Sequence, residues 1–124
     1  MEHYIGVDII EIARIEKAVA RWGDRLLNRV YTESELKLYR NEPSSLAARF
    51  AGKEAVIKAL NSQATYLSWK EIEILSEPDR KPSLRLYGKA QSQARILGLD
   101  RLDISLSHSK EHAIAFVIGT TSGD

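Results

Sequence analysis

Hydrophobic and polar positions alternate over residues 4–10, with Ile5, Val7 and Ile9 on one side and Gly6, Asp8 and Ile10 on the other. A period of two with β-branched residues predicts a strand. The period then changes. Ile12, Ile15, Val19 and Trp22 fall at helical spacing and predict a helix with one apolar stripe. Arg14, Lys17 and Arg21 form a second, basic stripe, which Arg25 extends if the helix continues past Gly23. Thr32 followed by Glu35 reads as a capping box opening another helix, with Leu36 and Tyr39 on its apolar side. Residues 41–45 break the pattern around Pro43, and Ser44 or Ser45 is expected to cap a long central helix. That helix should run to about Leu60, with Asn61 and Ser62 ending it.

The second half alternates again. Residues 69–75 place Trp69, Glu71, Glu73 and Leu75 against Lys70, Ile72 and Ile74, a strand with one apolar face. A turn with two prolines over 76–82 leads to a short strand at 83–87, then to a helix over 88–98 with Ala90, Ala94 and Leu97 on its narrow stripe. Strands at 102–109 and 112–119 form an antiparallel hairpin around Lys110 and Glu111. The order predicts an α+β fold, a long central helix packed on a small antiparallel sheet, within a single domain over 1–119 and a frayed tail at 120–124. No P-loop, dinucleotide fingerprint, zinc-finger spacing or nucleophile elbow is present.

Composition narrows the classes. The chain has 124 residues, 44% hydrophobic, enough for one modest core; subunit contacts are one way to complete it, but the sequence alone does not demand them. With 18 basic and 17 acidic side chains, bulk charge does not favour nucleic acid. No apolar run long enough for a membrane span and no secretory signal are visible, and cysteine is absent, so the expected compartment is the cytoplasm.

Candidate chemistry gathers on "RFAGKEAVIKAL" at 49–60 and on Asp8. Ala47, Ala51, Glu54 and Lys58 share one strip of the central helix. Glu54 and Lys58 read either as an ordinary salt bridge one turn apart or as part of a site. Asp8, an acid on an apolar strand, shifts the balance to a site. Two carboxylates suit Mg²⁺, which completes its shell with water and substrate phosphates, and Lys58 would then meet phosphate oxygens. No acidic partner at a known zinc spacing adjoins His108 and His112. His108 reads as a structural histidine or as a contact to a substrate's phosphate or base. The Arg14–Lys17–Arg21 stripe reads as a solvated face or as a ridge for an acidic protein.

The stretches "GVDIIEIARI" (6–15), "RFAGKEAVIKAL" (49–60) and "ISLSHSKEHAIA" (104–115) together resemble the holo-acyl-carrier-protein synthases, small bacterial members of the phosphopantetheinyl transferase superfamily. The resemblance implies transfer of 4′-phosphopantetheine from coenzyme A to a serine of apo acyl carrier protein in fatty acid biosynthesis, leaving adenosine 3′,5′-bisphosphate. It implies Asp8 and Glu54 as Mg²⁺ ligands, Lys58 as a catalytic and phosphate-binding lysine, and His108 near the nucleotide of coenzyme A. Arg14, helped by Arg21, would dock the acidic carrier. It further implies a homotrimer with active sites between subunits. A transferase serving polyketide or peptide synthase carriers, and a non-enzymatic module docking an acidic protein, are the rival readings. Departures from the family's pattern are Asn61 where relatives carry glycine, "DRKP" at 79–82 in place of a Gly-x-Pro turn, and a lone Arg40 where relatives have a basic pair.

Overall fold

The N-terminal alternation forms β1 (His3–Glu11), and the change of period marks α1 (Ile12–Trp22), in a computed structural model that describes residues 1–60, 67–76 and 81–122. Ile12 and Ile15 are buried, but Trp22, expected on the same stripe, is half exposed. Gly23, at φ 56°, ends α1, so Arg25 lies on the next helix, α2 (Asp24–Val30), and does not prolong the basic stripe. α3 (Glu33–Tyr39) opens with the expected capping box. Thr32 Oγ1 accepts from the Glu35 N–H at 3.2 Å, and Glu35 Oε1 accepts from the Thr32 N–H at 2.9 Å.

The central helix is α4 (Pro43–Ala59). Its N-cap is Glu42, so Ser44 and Ser45 fall inside the first turn and neither caps it. Proline's fixed φ and missing N–H suit the first helical position, which moves the boundary ahead of the serines. The expected stop at Asn61 and Ser62 lies outside the described residues. Beyond it, Trp69–Glu71 is a single 3₁₀ turn, and the predicted strand shortens to β2 (Ile72–Leu75). The carbonyls of Trp69 and Ile72 both accept from the Lys53 ammonium, which holds this stretch folded over α4. β3 (Ser83–Leu86) pairs with β2, and α5 (Gly88–Ile96) buries Ala90 and Ala94 as predicted. β4 (Leu99–His108) and β5 (His112–Thr121) are the expected hairpin. Two residues assigned to the tail are in fact paired: Thr120 stands opposite His3 in the sheet, and the Thr121 N–H donates to Glu2 O at 3.0 Å while the Glu2 N–H donates to Thr121 Oγ1 at 2.7 Å.

The result is the predicted α+β arrangement, with a three-stranded antiparallel sheet in the order β1-β5-β4 and a β2–β3 ribbon. α4 lies on the inner face of the larger sheet, over Ala113, Ala115 and Val117, all fully buried. Small side chains there let helix and sheet approach closely. The closest approach is at Gly6, where a Cβ would stand 1.8 Å from the Ala55 carbonyl oxygen and 2.9 Å from the Ala59 nitrogen. Backbone cannot yield as a flexible side chain does. Gly6→Ala is therefore expected to destabilise the fold by about 3 kcal/mol or more, lowering the thermal midpoint by roughly 10 °C or more. An unchanged midpoint would show that β1 is free to lift away from the helix.

Candidate active site

Contact at Gly6 determines what its neighbours on the strand meet. Asp8 is two residues on, on the same inward face, and packs against α4 where Glu54 and Lys58 emerge. Lys58 Nζ donates to Asp8 Oδ1 at 3.0 Å and to the Val7 carbonyl at 3.0 Å. The lysine thus reaches across to the strand and does not close the salt bridge to Glu54 that the i, i+4 spacing offered. Asp8's side chain is mostly covered (19% exposed), while that of Lys58 is open (54% exposed).

Glu54 stands beside this pair, partly buried. Desolvation, and after it the negative charge of Asp8, push its carboxyl above the ordinary range, and Lys58 pulls in the other direction. Three charged groups from β1 and α4 therefore share one place. A carboxyl pushed upward by burial and by a neighbouring acid suits a hard divalent cation, which would relieve that repulsion. No group of three or more acidic, histidine or cysteine side chains forms a metal cage among the described residues. A two-carboxylate site, open to water and phosphate, matches Mg²⁺ in that respect.

His108 is elsewhere. It is exposed at the end of β4 and pairs across β5 with Ala113, whereas Asp8 pairs with Ala115. The two side chains belong to strands on opposite sides of β5, about 10 Å of sheet apart, and α4 lies over the strand between them. His108 lines a groove of ≈ 510 Å³ with Tyr39, Glu42, Ser45, Arg49 and Ser76. Arg49 is a site feature that sequence spacing left unassigned. It is buried, yet among the described residues its hydrogen bonds go to neutral oxygens: Ile74 O at 3.4 Å, Tyr39 Oη at 2.9 Å and Ser76 Oγ at 2.7 Å. Its guanidinium also stacks on the Tyr39 ring at 3.9 Å. A positive charge fixed by neutral groups projects its field into the groove, a natural place for an anion. His112 is exposed at the start of β5, opposite Glu11, and belongs to neither constellation.

Arg14 and Arg21 both lie on exposed positions of α1. Arg14 borders a small cleft with Ala18, Leu26 and Phe50, and Phe50 is one helical turn before Glu54. Arg21 stacks on Trp22 at 4.9 Å, and Trp22 lines a ≈ 540 Å³ cleft with Arg25, Leu26 and Arg29. Cationic surface thus leads from the far end of α1 towards the carboxylate pair.

A strand with an inward acid, a buried helix that answers it with Glu54 and Lys58, and a groove beyond β5 that holds the Arg49 guanidinium stand on one α+β scaffold. The family model for the 4′-phosphopantetheinyl transferase superfamily matches residues 4–117. A holo-[acyl-carrier-protein] synthase from Dehalococcoides mccartyi is 54% identical over 115 residues, covering 93% of this chain and 96% of the relative. The crystal structure of the Helicobacter pylori holo-[acyl-carrier-protein] synthase in complex with coenzyme A superposes with a TM-score of 0.83 at 37% identity, covering 94% of this chain and 99% of that one. The Bacillus anthracis enzyme in complex with CoA (3′,5′-ADP) superposes with a TM-score of 0.77 at 32% identity, covering 96% of each chain. The chain belongs to the 4′-phosphopantetheinyl transferase superfamily, within it to the holo-[acyl-carrier-protein] synthase family.

Proposed function

We propose that Asp8, Glu54 and Lys58 are the catalytic centre for the transfer of 4′-phosphopantetheine from coenzyme A to a serine of apo acyl carrier protein. The reaction itself follows from family membership. The observation that carries the assignment of residues is the meeting of Asp8 and Lys58 at 3.0 Å beside Glu54, whose carboxyl feels both charges. In the transfer, the carrier's serine oxygen bonds to the pantetheine-side phosphorus of the pyrophosphate as its O–H bond breaks and the proton passes to water. The phosphorus–oxygen bond to the other phosphate breaks, and adenosine 3′,5′-bisphosphate leaves. Mg²⁺, held by Asp8 and Glu54, would supply Lewis-acid stabilisation of the phosphate oxygens when bound. Lys58 places its ammonium against the charge that grows on the departing bisphosphate. Arg49 and His108 form an anion-binding groove suited to the phosphates at the nucleotide end of coenzyme A.

In one copy the groove and the carboxylate pair lie on opposite flanks of α4. We therefore assign each active site to two neighbouring subunits of a homotrimer, one supplying Asp8, Glu54 and Lys58 and the next supplying His108 and Arg49. Support comes from the outer face of the sheet, where Ile5, Val7 and Ile9 on β1 adjoin Ile114 and Phe116 on β5, all at least 40% exposed. An apolar face this continuous calls for cover by protein. Among the described residues no helix is long and apolar enough to cross a membrane. The cytoplasm is the proposed compartment, since coenzyme A and an apo carrier must meet the enzyme in one solution.

The direct test is to mix the protein with coenzyme A, Mg²⁺ and purified apo carrier, and to weigh the carrier. It should gain the mass of one phosphopantetheine arm, and only with metal present. An unmodified carrier would end the reading. Comparing several apo carriers separates the fatty-acid role from service to a polyketide or peptide synthase. Carrier docking has its own test. Arg14→Glu should raise the KM for carrier about tenfold or more while leaving that for coenzyme A within a factor of two or so, because a reversed charge on α1 repels an acidic protein alone. Equal changes in both constants would take Arg14 out of the docking surface.

A further inference from the structure

Lys58 already holds an oxygen of the residue assigned to the metal. Its ammonium sits 3.0 Å from Asp8 Oδ1 and 3.0 Å from the Val7 carbonyl, while more than half of its side chain stays open to solvent. An ammonium and a divalent cation seek the same anionic oxygens and repel each other across them. Asp8 and Glu54 together carry two negative charges when ionised, and Lys58 offsets one. A divalent cation between the acids, with Lys58 still in place, would leave the cluster with an excess positive charge. An arriving pyrophosphate removes that excess. The four-carbon stem of Lys58 and its rotatable donors let the ammonium swing from carboxylate to phosphate without moving α4.

We infer that Lys58 is a displaceable counter-ion: it neutralises Asp8 in the free enzyme, yields Asp8 to the divalent cation, and turns to the pyrophosphate of the donor. The inference deepens the transferase reading and rests on it. Metal alone must compete with Lys58 for Asp8 and binds weakly. Metal and coenzyme A arriving together satisfy every charge and bind cooperatively, and the coupling is reciprocal, each tightening the other by the same factor.

The test is a Mn²⁺ titration of the purified enzyme, with free Mn²⁺ counted by electron paramagnetic resonance, in the absence and presence of coenzyme A. Lys58→Met keeps the length of the stem without the charge, and Lys58→Arg keeps the charge. Without coenzyme A, the Met variant should bind Mn²⁺ about tenfold or more tighter than wild type, and the Arg variant close to wild type. With coenzyme A, wild-type affinity should rise steeply and that of the Met variant much less. Unchanged or weaker binding by Lys58→Met, or a coenzyme A effect as large as in wild type, overturns the counter-ion role. If wild type at the same time modifies the carrier and binds Mn²⁺ with coenzyme A, the transferase reading stands and only this inference falls. A wild type that binds no Mn²⁺ under either condition removes this inference and the Asp8–Glu54 metal site, while the mass of the carrier decides the transferase reading separately.

Discussion

Glu54→Gln is expected to lower the maximal transfer rate by about a thousandfold or more while making the folded chain slightly more stable at neutral pH. The loss of rate follows from removing one of two carboxylates that would hold the metal against the pyrophosphate, a transition-state effect of about 4 kcal/mol. The gain in stability follows from the sign of the carboxyl's shift. Burial, and after it Asp8, hold the folded-state pKa of Glu54 above its ordinary value. A group shifted upward contributes its full stabilisation below the ordinary carboxylate pKa and loses it as pH rises through the folded value. At neutral pH an ionised Glu54 therefore works against the fold, modestly because the side chain is partly open to water. Glutamine removes that repulsion. In metal-free buffer the midpoint of Glu54→Gln should exceed that of wild type by more at pH 7 than at pH 4, where the wild-type carboxyl is largely protonated. Thermal melts at the two pH values check this; an equal gap at both would contradict the assigned charge, and near-normal turnover would remove Glu54 from the metal site.

The second large effect is on folding alone. Lys53 and Glu35 are fully buried and 2.8 Å apart. Burial drives the Lys53 ammonium's pKa down, and the charge of Glu35 works against that shift. All three lysine donors are used, on Glu35 and on the Trp69 and Ile72 carbonyls, and Glu35 also accepts from the backbone N–H groups of Thr32 and Ile74. One ion pair thus ties α3, α4, the 3₁₀ turn and β2. Lys53→Met leaves a buried carboxylate without its cation and two carbonyls without a donor. The expected cost is about 3–5 kcal/mol, seen as a lower urea midpoint with an unchanged slope. Adding Glu35→Gln to Lys53→Met removes the stranded charge while keeping an acceptor, and should recover part of the loss. A double variant less stable than the single one would mean that Glu35 is not the charge left stranded.

Such pairings mark the limit of what the sequence alone makes legible. The capping box at Thr32 and Glu35 is readable because both ends lie within four positions of the chain. The strand–helix switch at Ile12 and the β4–β5 hairpin are readable because period and turn are local. Asp8 announces itself as an acid on an otherwise apolar strand, and the likeness of the stretch around Glu54 to the family's motif supplies its companion. Lys58's own partner is a different matter: spacing offers Glu54, four residues away, whereas the fold provides Asp8, fifty residues away. α4 is buried on nearly every side, so no apolar stripe sorts its charges, and "GKEAVIK" gives no sign that Lys53 is structural while Lys58 faces a site. Arg49 is likewise hidden, since its partners lie on α3, on β2 and just beyond β2. Glu73, read as the polar side of a strand, is buried as well, because Thr32 and Tyr87 hydroxyls satisfy it at 2.6 and 3.0 Å.

The all-round burial of α4 also limits what can move. In its middle turns Ala51, Ala55 and Val56 have no exposed surface at all. Backbone amides there should exchange with deuterium only when the whole domain opens, the slowest class of protection. Glu54 and Lys58 are thus rooted in the stiffest segment of the chain, and the adjustments of a catalytic cycle fall to side-chain rotations lasting nanoseconds, with no hinge in the helix that bears them.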